Sequence, residues 1–396
     1  MKIIFITFYY EPDLGAGSFR ASALVDALLN LNIDNLEVEV ITTHPNRYKS
    51  QDVESIDGRL RKNLKVHRIN LPDHNSGLVD QAYAFCFFAY HALRISRKSK
   101  ASLIVATSSR LMTAFLGYLI SKFNSIPLYL DIRDIFTDVI KNVGPKIIMK
   151  SLFPIFSYIE KITFKRATHI NLVSKGFTEH VKKINPNCTI TLHTNGIDSE
   201  FIGYDYSKKY ELLQDKKIIL YAGNIGEGQG LHKIIPKAAK HLENDVIFKV
   251  IGDGGMRTEL EKYINEKNIN NVELLSPMPR SRLLSFYKEA DILFLHLNNY
   301  EAFTKVIPSK LFEYSSTGKP ILAGLKGVAS NFIKDNIVGV KVFNPCDEDG
   351  FLHAYHELII GNKLYERSNF LNKYSRKSIM NIMANEILQL STGSKP

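Results

Sequence analysis

The sequence predicts an α/β chain folded as two Rossmann-like domains, and three observations carry that prediction. Its 396 residues exceed what one hydrophobic core normally fills. Short apolar runs alternate with amphipathic stretches, the pattern of a parallel sheet covered by helices. One opening, a strand followed by a glycine-bearing loop and a helix start, occurs twice: at "KIIFITFYYEPDLGAGSFR" from residue 2 and at "KKIILYAGNIGEGQG" from residue 216.

In chain order, "KIIFITF" reads as a strand and a helix follows from about Phe19 to Leu31. "VEVIT", "SLIVATS" and "PLYLDIRD" then read as further strands. The stretch "QAYAFCFFAYHAL", 81–93, is too short to span a bilayer. It reads either as a helix lying on a membrane, with Arg94, Arg97, Lys98 and Lys100 behind it, or as an aromatic helix packed in the core. "RLRKNLKVHR", 59–68, reads as a solvated basic face. The second series runs through "DVIFKVIGDGG", "NVELLSPMPRSRL", "ADILFLHL" and "KPILAGL". Asn-Gly in "HTNGIDSEF" marks a turn, which predicts domains at 1–197 and 198–374. "SRKSIMNIMANEILQL" predicts a last helix, in 375–396, that crosses back to the first domain. Functional loops are expected at the carboxyl ends of the strands.

Apolar content of 45% and charged content of 23% exclude a disordered chain. A net charge of +11 points to anionic partners, either phosphate-bearing small molecules or an acidic membrane surface. Nucleic acid is disfavoured, because no compact basic-aromatic motif is present. Cys86, Cys188 and Cys346 stand far apart without a Cys-x-x-Cys spacing, so neither a disulfide framework nor a zinc site is implied. The opening reads as a strand, not a secretory leader, and a cytoplasmic location is expected.

Gly15-x-Gly17-x-x-Arg20 lacks the third glycine of a dinucleotide fingerprint, which disfavours a nicotinamide enzyme. Amides at a helix start attract anions, so Gly15, Gly17 and Arg20 are read as holding a phosphate or sugar, or else as a plain surface turn. The most informative stretch is "YEAFTKVIPSKLFEYSSTGKP", 300–320. Pro308 suits the first turn of a helix, with Ser309 and Lys310 at its start and Glu313 three residues beyond Lys310 on one face. A lysine and helix amides suit a diphosphate, and a carboxylate one turn deeper suits ribose hydroxyls. The alternative is an ordinary i, i+3 ion pair.

Taken in order, "YYEPDLGAGSFR", "HPN", "DIRDIF", "NGID", "YAGNIGEGQG", "GDGG" and "PSKLFEYSSTGKPIL" resemble family 4 of the retaining glycosyltransferases, in the bacterial branch that includes fucosamine transferases of surface-polysaccharide assembly. The resemblance runs over nearly the whole chain. It implies the GT-B fold, two Rossmann-like domains facing across a cleft, with a nucleotide sugar held mainly by the second and an acceptor mainly by the first. Glu313 matches the family's ribose-binding carboxylate. Lys305 stands where many members carry a sugar-contacting glutamate, and Glu301 is the nearest substitute. Asn224 and Gln229 occupy places that are often arginine and lysine on the diphosphate. Lys310 then carries more of that charge, with Lys305 or Arg20 and the amides near Gly223 and Gly230. Met278 and Pro279 match the segment that cradles the base. Asp253 matches a position near the nucleotide and reads equally as an Asx turn. Arg133, flanked by Asp131 and Asp134, stands where relatives frequently have a histidine.

The reaction that the resemblance implies is sugar transfer with retention, from a nucleotide-diphosphate donor, UDP-linked by expectation, to a growing surface polysaccharide or lipid-linked oligosaccharide. Arg133, Asp131 and Lys310 are the expected catalytic residues. No convincing pair of glycosidase carboxylates is present. The one Asp-x-Asp match, Asp347 and Asp349 in "PCDEDG", reads as a capping loop, so neither a metal nor a cofactor beyond the nucleotide-sugar co-substrate is expected. Peripheral contact with the anionic inner face of the cytoplasmic membrane is the expected partner surface. The competing readings are a nonhydrolysing nucleotide-sugar epimerase and an inactive sugar-binding homologue.

Overall fold

A computed structural model describes residues 1–13, 15–44, 62–72, 78–108, 111–142, 146–207, 216–358 and 364–391. Pro45 and Asn46 of the "HPN" motif, and residues 59–61 of the basic run, lie outside them. The chain divides into two compact units, Met1–Asn195 with Arg376–Pro396, and Gly196–Ser375.

Among the described residues the first unit holds seven strands: β1 Lys2–Ile6, β2 Glu37–Thr43, β3 Leu64–Ile69, β4 Leu103–Thr107, β5 Leu128–Ile132, β6 His169–Leu172 and β7 Thr189–Leu192. All neighbours pair in parallel, in the order β3-β2-β1-β4-β5-β6-β7. β4 and β5 are buried throughout, as continuous apolar strands covered on both faces must be. β3 takes up the second half of the stretch read as a solvated basic face. It is an edge strand in register with β2, Val38 opposite Leu64 and Val40 opposite Val66, and edges are where charged strand residues are tolerated.

The helix Ala16–Leu29 starts three residues earlier than its expected position, because Gly15 is its extended N-cap. It buries Ala21, Leu24, Val25 and Leu28, one stripe at helical spacing. The last helix, Arg376–Ser391, buries Met380, Met383, Ala384 and Ile387 and packs against Ala16–Leu29. The aromatic stretch lies in the helix Leu78–Ser96, and its side chains divide between core and solvent. Phe85 and Phe88 are core residues, while Tyr83 and Tyr90 are exposed.

Among the described residues the second unit holds six parallel strands: β8 Lys217–Ala222, β9 Val246–Ile251, β10 Val272–Leu275, β11 Ile292–His296, β12 Ile321–Gly324 and β13 Val340–Phe343. Their order is β10-β9-β8-β11-β12-β13. From β8 the chain moves to β9 on one side, and from β11 to β12 on the other. The carboxyl ends of β8 and β11 therefore flank a topological switch point, where ligands of open α/β sheets bind.

Candidate functional site at the β8 and β11 loop ends

Glycines let the loops after β8 and β9 pack backbone on backbone. Gly223 N–H donates to the Ile251 carbonyl at 2.9 Å, Ile225 N–H to Asp253 at 2.8 Å and Met256 N–H to Ile225 at 2.9 Å. Gly252 has φ +151°, and a Cβ there would lie 1.8 Å from the Gly223 oxygen. Only glycine fits such a contact. The loop after β11 joins the same cluster, with Asn298 N–H donating to the Gly228 carbonyl at 2.8 Å.

Against this cluster stands the helix Ser309–Ser316, whose N-cap is Pro308 and whose start has no side-chain cap. Pro308 thus precedes the first turn instead of filling it. Leu311, Phe312 and Tyr314 bury the inner face, and the Tyr314 hydroxyl accepts from Ala222 N–H at 2.9 Å, tying the helix to the end of β8. A Cβ at Gly223 would lie 3.4 Å from Lys310 Cε, so the lysine stem rests on the first glycine loop.

Lys310 Nζ donates to Glu313 Oε2 at 2.8 Å, so the i, i+3 pair is present. Its setting is not an open surface, since the side chains are 25% and 13% exposed. The Tyr287 hydroxyl also donates to Glu313 Oε2, at 3.1 Å, and burial followed by the nearby carboxylate pushes its pKa well up. Arg280 Nη2 lies 3.8 Å from Glu313 Oε1 and 3.0 Å from Asp198. It also pairs with Glu200 and covers the Phe201 ring at 5.1 Å.

Asn224 and Gln229, neutral where cations were considered, bond each other. Asn224 Nδ2 donates to Gln229 Oε1 at 2.8 Å, and Gly226 N–H donates to the same oxygen at 3.2 Å. Gly230 caps the next helix at φ +61°, a left-handed turn suited to glycine. Glu227 accepts from Lys233 at 3.1 Å, Asn298 Nδ2 at 2.9 Å and the Tyr300 hydroxyl at 2.6 Å, locking the β8 loop to the β11 loop. His296, fully buried, adds a second lock. Its Nδ1 meets the Gln229 carbonyl at 2.6 Å and its Nε2 meets Cys346 N–H at 2.9 Å. A carbonyl only accepts and an amide only donates, so the proton sits on Nδ1. Burial pushes its pKa down to about 4.

The other expected residues of this unit are spread around the same strand ends. Ser309 and Lys310 begin the helix, and Glu301 and Lys305 bound the 3-10 turn Glu301–Lys305. Met278 packs against the core. Pro279 is exposed and caps the helix Arg280–Glu289. Asp253 is exposed, and its Oδ1 accepts from Gly254 N–H at 2.8 Å, a local turn bond. Asp347 caps the helix Glu348–Glu357 by accepting from Gly350 N–H.

In the first unit the structure corrects two assignments. Arg20 is 1% exposed. It grips Asp131 with both prongs and donates to the Thr194 and His193 carbonyls at 2.8 and 3.0 Å. It is therefore neither a surface turn residue nor free to hold a phosphate. Asp131 is wholly buried and also accepts from Asn171 Nδ2 at 2.7 Å, which removes it from the catalytic set. Burial opposes its charge, yet Arg20 beside it keeps its pKa below the usual carboxylate value. Gly17 lies inside the helix Ala16–Leu29, next to its start, with Gly15 as cap. Arg133 is different. It is half-buried, its Nε has no hydrogen-bond partner among the described residues, and burial followed by the charge of Arg20 pushes its pKa down to about 10.

Residues 205–378 match the family described as glycosyl transferases group 1. Over 108 residues the chain is 34% identical to a candidate colanic acid biosynthesis glycosyl transferase, WcaI, of Escherichia coli K12, covering 27% of this chain and 26% of that protein. Over 284 residues it is 23% identical to a lipopolysaccharide 1,2-N-acetylglucosaminetransferase of Salmonella typhimurium LT2, covering 65% and 68% of the two chains. The chain thus spans about a quarter of the length of the first of these relatives and about two thirds of the second. Sucrose-phosphate synthase from Thermosynechococcus elongatus matches in structure with a TM-score of 0.78 and 14% identity over all of both chains. The fold is of GT-B type, two parallel α/β sheets of Rossmann-like kind.

The group 1 segment contains the whole Lys310–Glu313 arrangement together with four residues that sequence reasoning missed: Glu227, Arg280, Tyr287 and His296. Arg280 and Tyr287 are seven residues apart on one helix, and that spacing places them on one face. No sequence spacing pairs either with Glu313.

Proposed function

We propose that the chain is a retaining glycosyltransferase of family 4, close to the fucosamine-transferase branch. It moves a sugar, in our reading an N-acetylated amino sugar, from a UDP-linked donor to a growing surface polysaccharide or lipid-linked oligosaccharide. The observation that carries this reading is the uncapped start of Ser309–Ser316, with Lys310 and Glu313 beside it, set among glycine loops at the switch point of the second sheet. Helix amides and an ammonium favour a diphosphate, and a half-buried carboxylate favours ribose hydroxyls. The Salmonella relative's name supports the choice of an amino sugar.

The diphosphate gains negative charge as it departs. The helix start and Lys310 therefore stabilise the transition state more than the ground state. In this mechanism the acceptor hydroxyl attacks the face that the diphosphate leaves, and the departing phosphate takes its proton. No protein nucleophile is required. With Asp131 buried and paired, Arg133 is the one of the first unit's two expected catalytic residues that this proposal keeps. No metal or further cofactor enters this scheme.

The test is incubation with a panel of UDP-, GDP- and dTDP-sugars, with and without a lipid-diphosphate acceptor. Transfer that requires the acceptor supports the proposal. A changed nucleotide sugar formed without acceptor would identify an epimerase, and the absence of any nucleotide binding would point to neither enzyme.

A further inference from the structure

We propose that the helical layer over one face of the first unit's sheet is a docking surface for an anionic lipid bilayer. This deepens the lipid-linked acceptor reading above and rests on it for its purpose. The connections β3 to β4, β4 to β5 and β5 to β6 all run the same way across the sheet. Right-handed crossovers therefore put the helices Leu78–Ser96, Leu111–Asn124 and Lys146–Arg166 on one face. Ala16–Leu29, which connects in the opposite direction, lies on the other with Arg376–Ser391.

Among the described residues, five large side chains stand out from that layer into solvent: Tyr83, Tyr90, Phe123, Ile155 and Tyr158, each more than half exposed. Tyr83 and Tyr90 are seven residues apart on one helix and Ile155 and Tyr158 three apart on another, so each pair shares a face. Exposed cations lie on or just beyond the same helices, among them Arg94, Arg97, Lys98, Lys122, Lys161 and Lys165. These helices carry two acids. Asp80 is half-buried, and Glu160 is buried and bound by Thr137 and His180. Arg94 lies 5.6 Å from the Tyr90 ring centroid and Lys122 5.8 Å from that of Tyr118.

Aromatic rings next to long cations are the chemistry of the headgroup zone, where each ring buries its body and each ammonium or guanidinium meets lipid phosphate. Among the described residues the exposed large side chains are dispersed one or two per helix among cations, and do not form the continuous hydrophobic core of a protein interface. Among the described residues no helix is long and apolar enough to cross a membrane, so the contact is interfacial.

The experiment is flotation of the full chain with phosphatidylcholine vesicles, with and without phosphatidylglycerol, at low and high salt. The expected result is binding to the anionic vesicles that high salt weakens. Lys161→Gln with Lys165→Gln should lower the vesicle partition constant roughly thirty-fold, the effect of two cations near an anionic surface. Ile155→Ser with Tyr158→Ser should also lower it, with the melting temperature unchanged, while Ile382→Ser on the opposite face leaves it unaltered. Failure of the wild-type chain to float, equal flotation of both double variants, or a concentration-dependent dimer that the Ile155/Tyr158 variant abolishes would overturn the proposal. Sugar transfer to a soluble acceptor without flotation would sink only this surface. Flotation without any transfer would sink only the transferase reading.

Discussion

Arg20 and Asp131 form a two-pronged ion pair inside the first unit, with Arg20 Nε 2.7 Å from Oδ2 and Nη2 2.9 Å from Oδ1. Both side chains are 1% exposed. Removing one partner strands the other charge in a low-dielectric interior, which costs about 3–5 kcal/mol. Arg20→Ala should therefore lower the unfolding midpoint of the first unit sharply, as read by denaturant titration. An unchanged midpoint with lost turnover would restore a substrate-contact role for this arginine.

Glu313→Gln and Lys310→Ala should each weaken nucleotide-diphosphate binding by roughly tenfold or more, the usual effect of losing a charged hydrogen bond. Calorimetric titration with UDP checks this. Wild-type affinity in both variants would remove the helix start from the site.

Gly252→Ala should abolish nucleotide binding and reduce stability. The new Cβ would strike the Gly223 carbonyl, and the backbone at φ +151° strains any L side chain. Titration and thermal melting together read the outcome, and a variant with wild-type values in both would contradict the loop packing.

His296 makes the second unit sensitive to acid. Its native pKa of about 4 lies below the unfolded value of about 6.5, so the unfolded state binds the proton more tightly. The stability due to the neutral ring is complete above about pH 6.5 and is lost as pH falls toward the native pKa. Its order of magnitude is about 3 kcal/mol. Melting curves between neutral and mildly acidic pH should show this loss, and His296→Gln should flatten it. An equal slope in the variant would assign the effect elsewhere.

The proposed chemistry uses helix amides and Lys310 for charge, so a chelator should leave the transfer rate unchanged. A large loss restored by magnesium or manganese would require a metal step. Assay with and without chelator decides the point.

Periodicity made the parallel α/β character legible, because strands such as β4, β5 and β11 are short apolar runs bounded by turns and helices. β3 escaped it. An edge strand that keeps charges on its exposed positions has the composition of a solvated loop, and only pairing with β2 reveals it. Within the aromatic stretch 81–93, composition could not separate Phe85 and Phe88 from Tyr83 and Tyr90. All are aromatic, and the face that a helix turns toward its sheet is settled by packing.

At the site, the Lys310–Glu313 spacing was readable because three residues along a helix bring side chains together. The partners of Arg20 were not readable, since Asp131 lies 111 residues away and sequence proximity carries no information about that pair. The amino-acid sequence by itself determined the fold class and the short helix that begins after Pro308, because both follow from short-range periodicity and turn chemistry. Only the tertiary structure decided which charges are buried against each other. Arg20 is neutralised by Asp131, and Glu313 is shared by Lys310, Tyr287 and Arg280, because long-range packing chooses which distant groups lose water together.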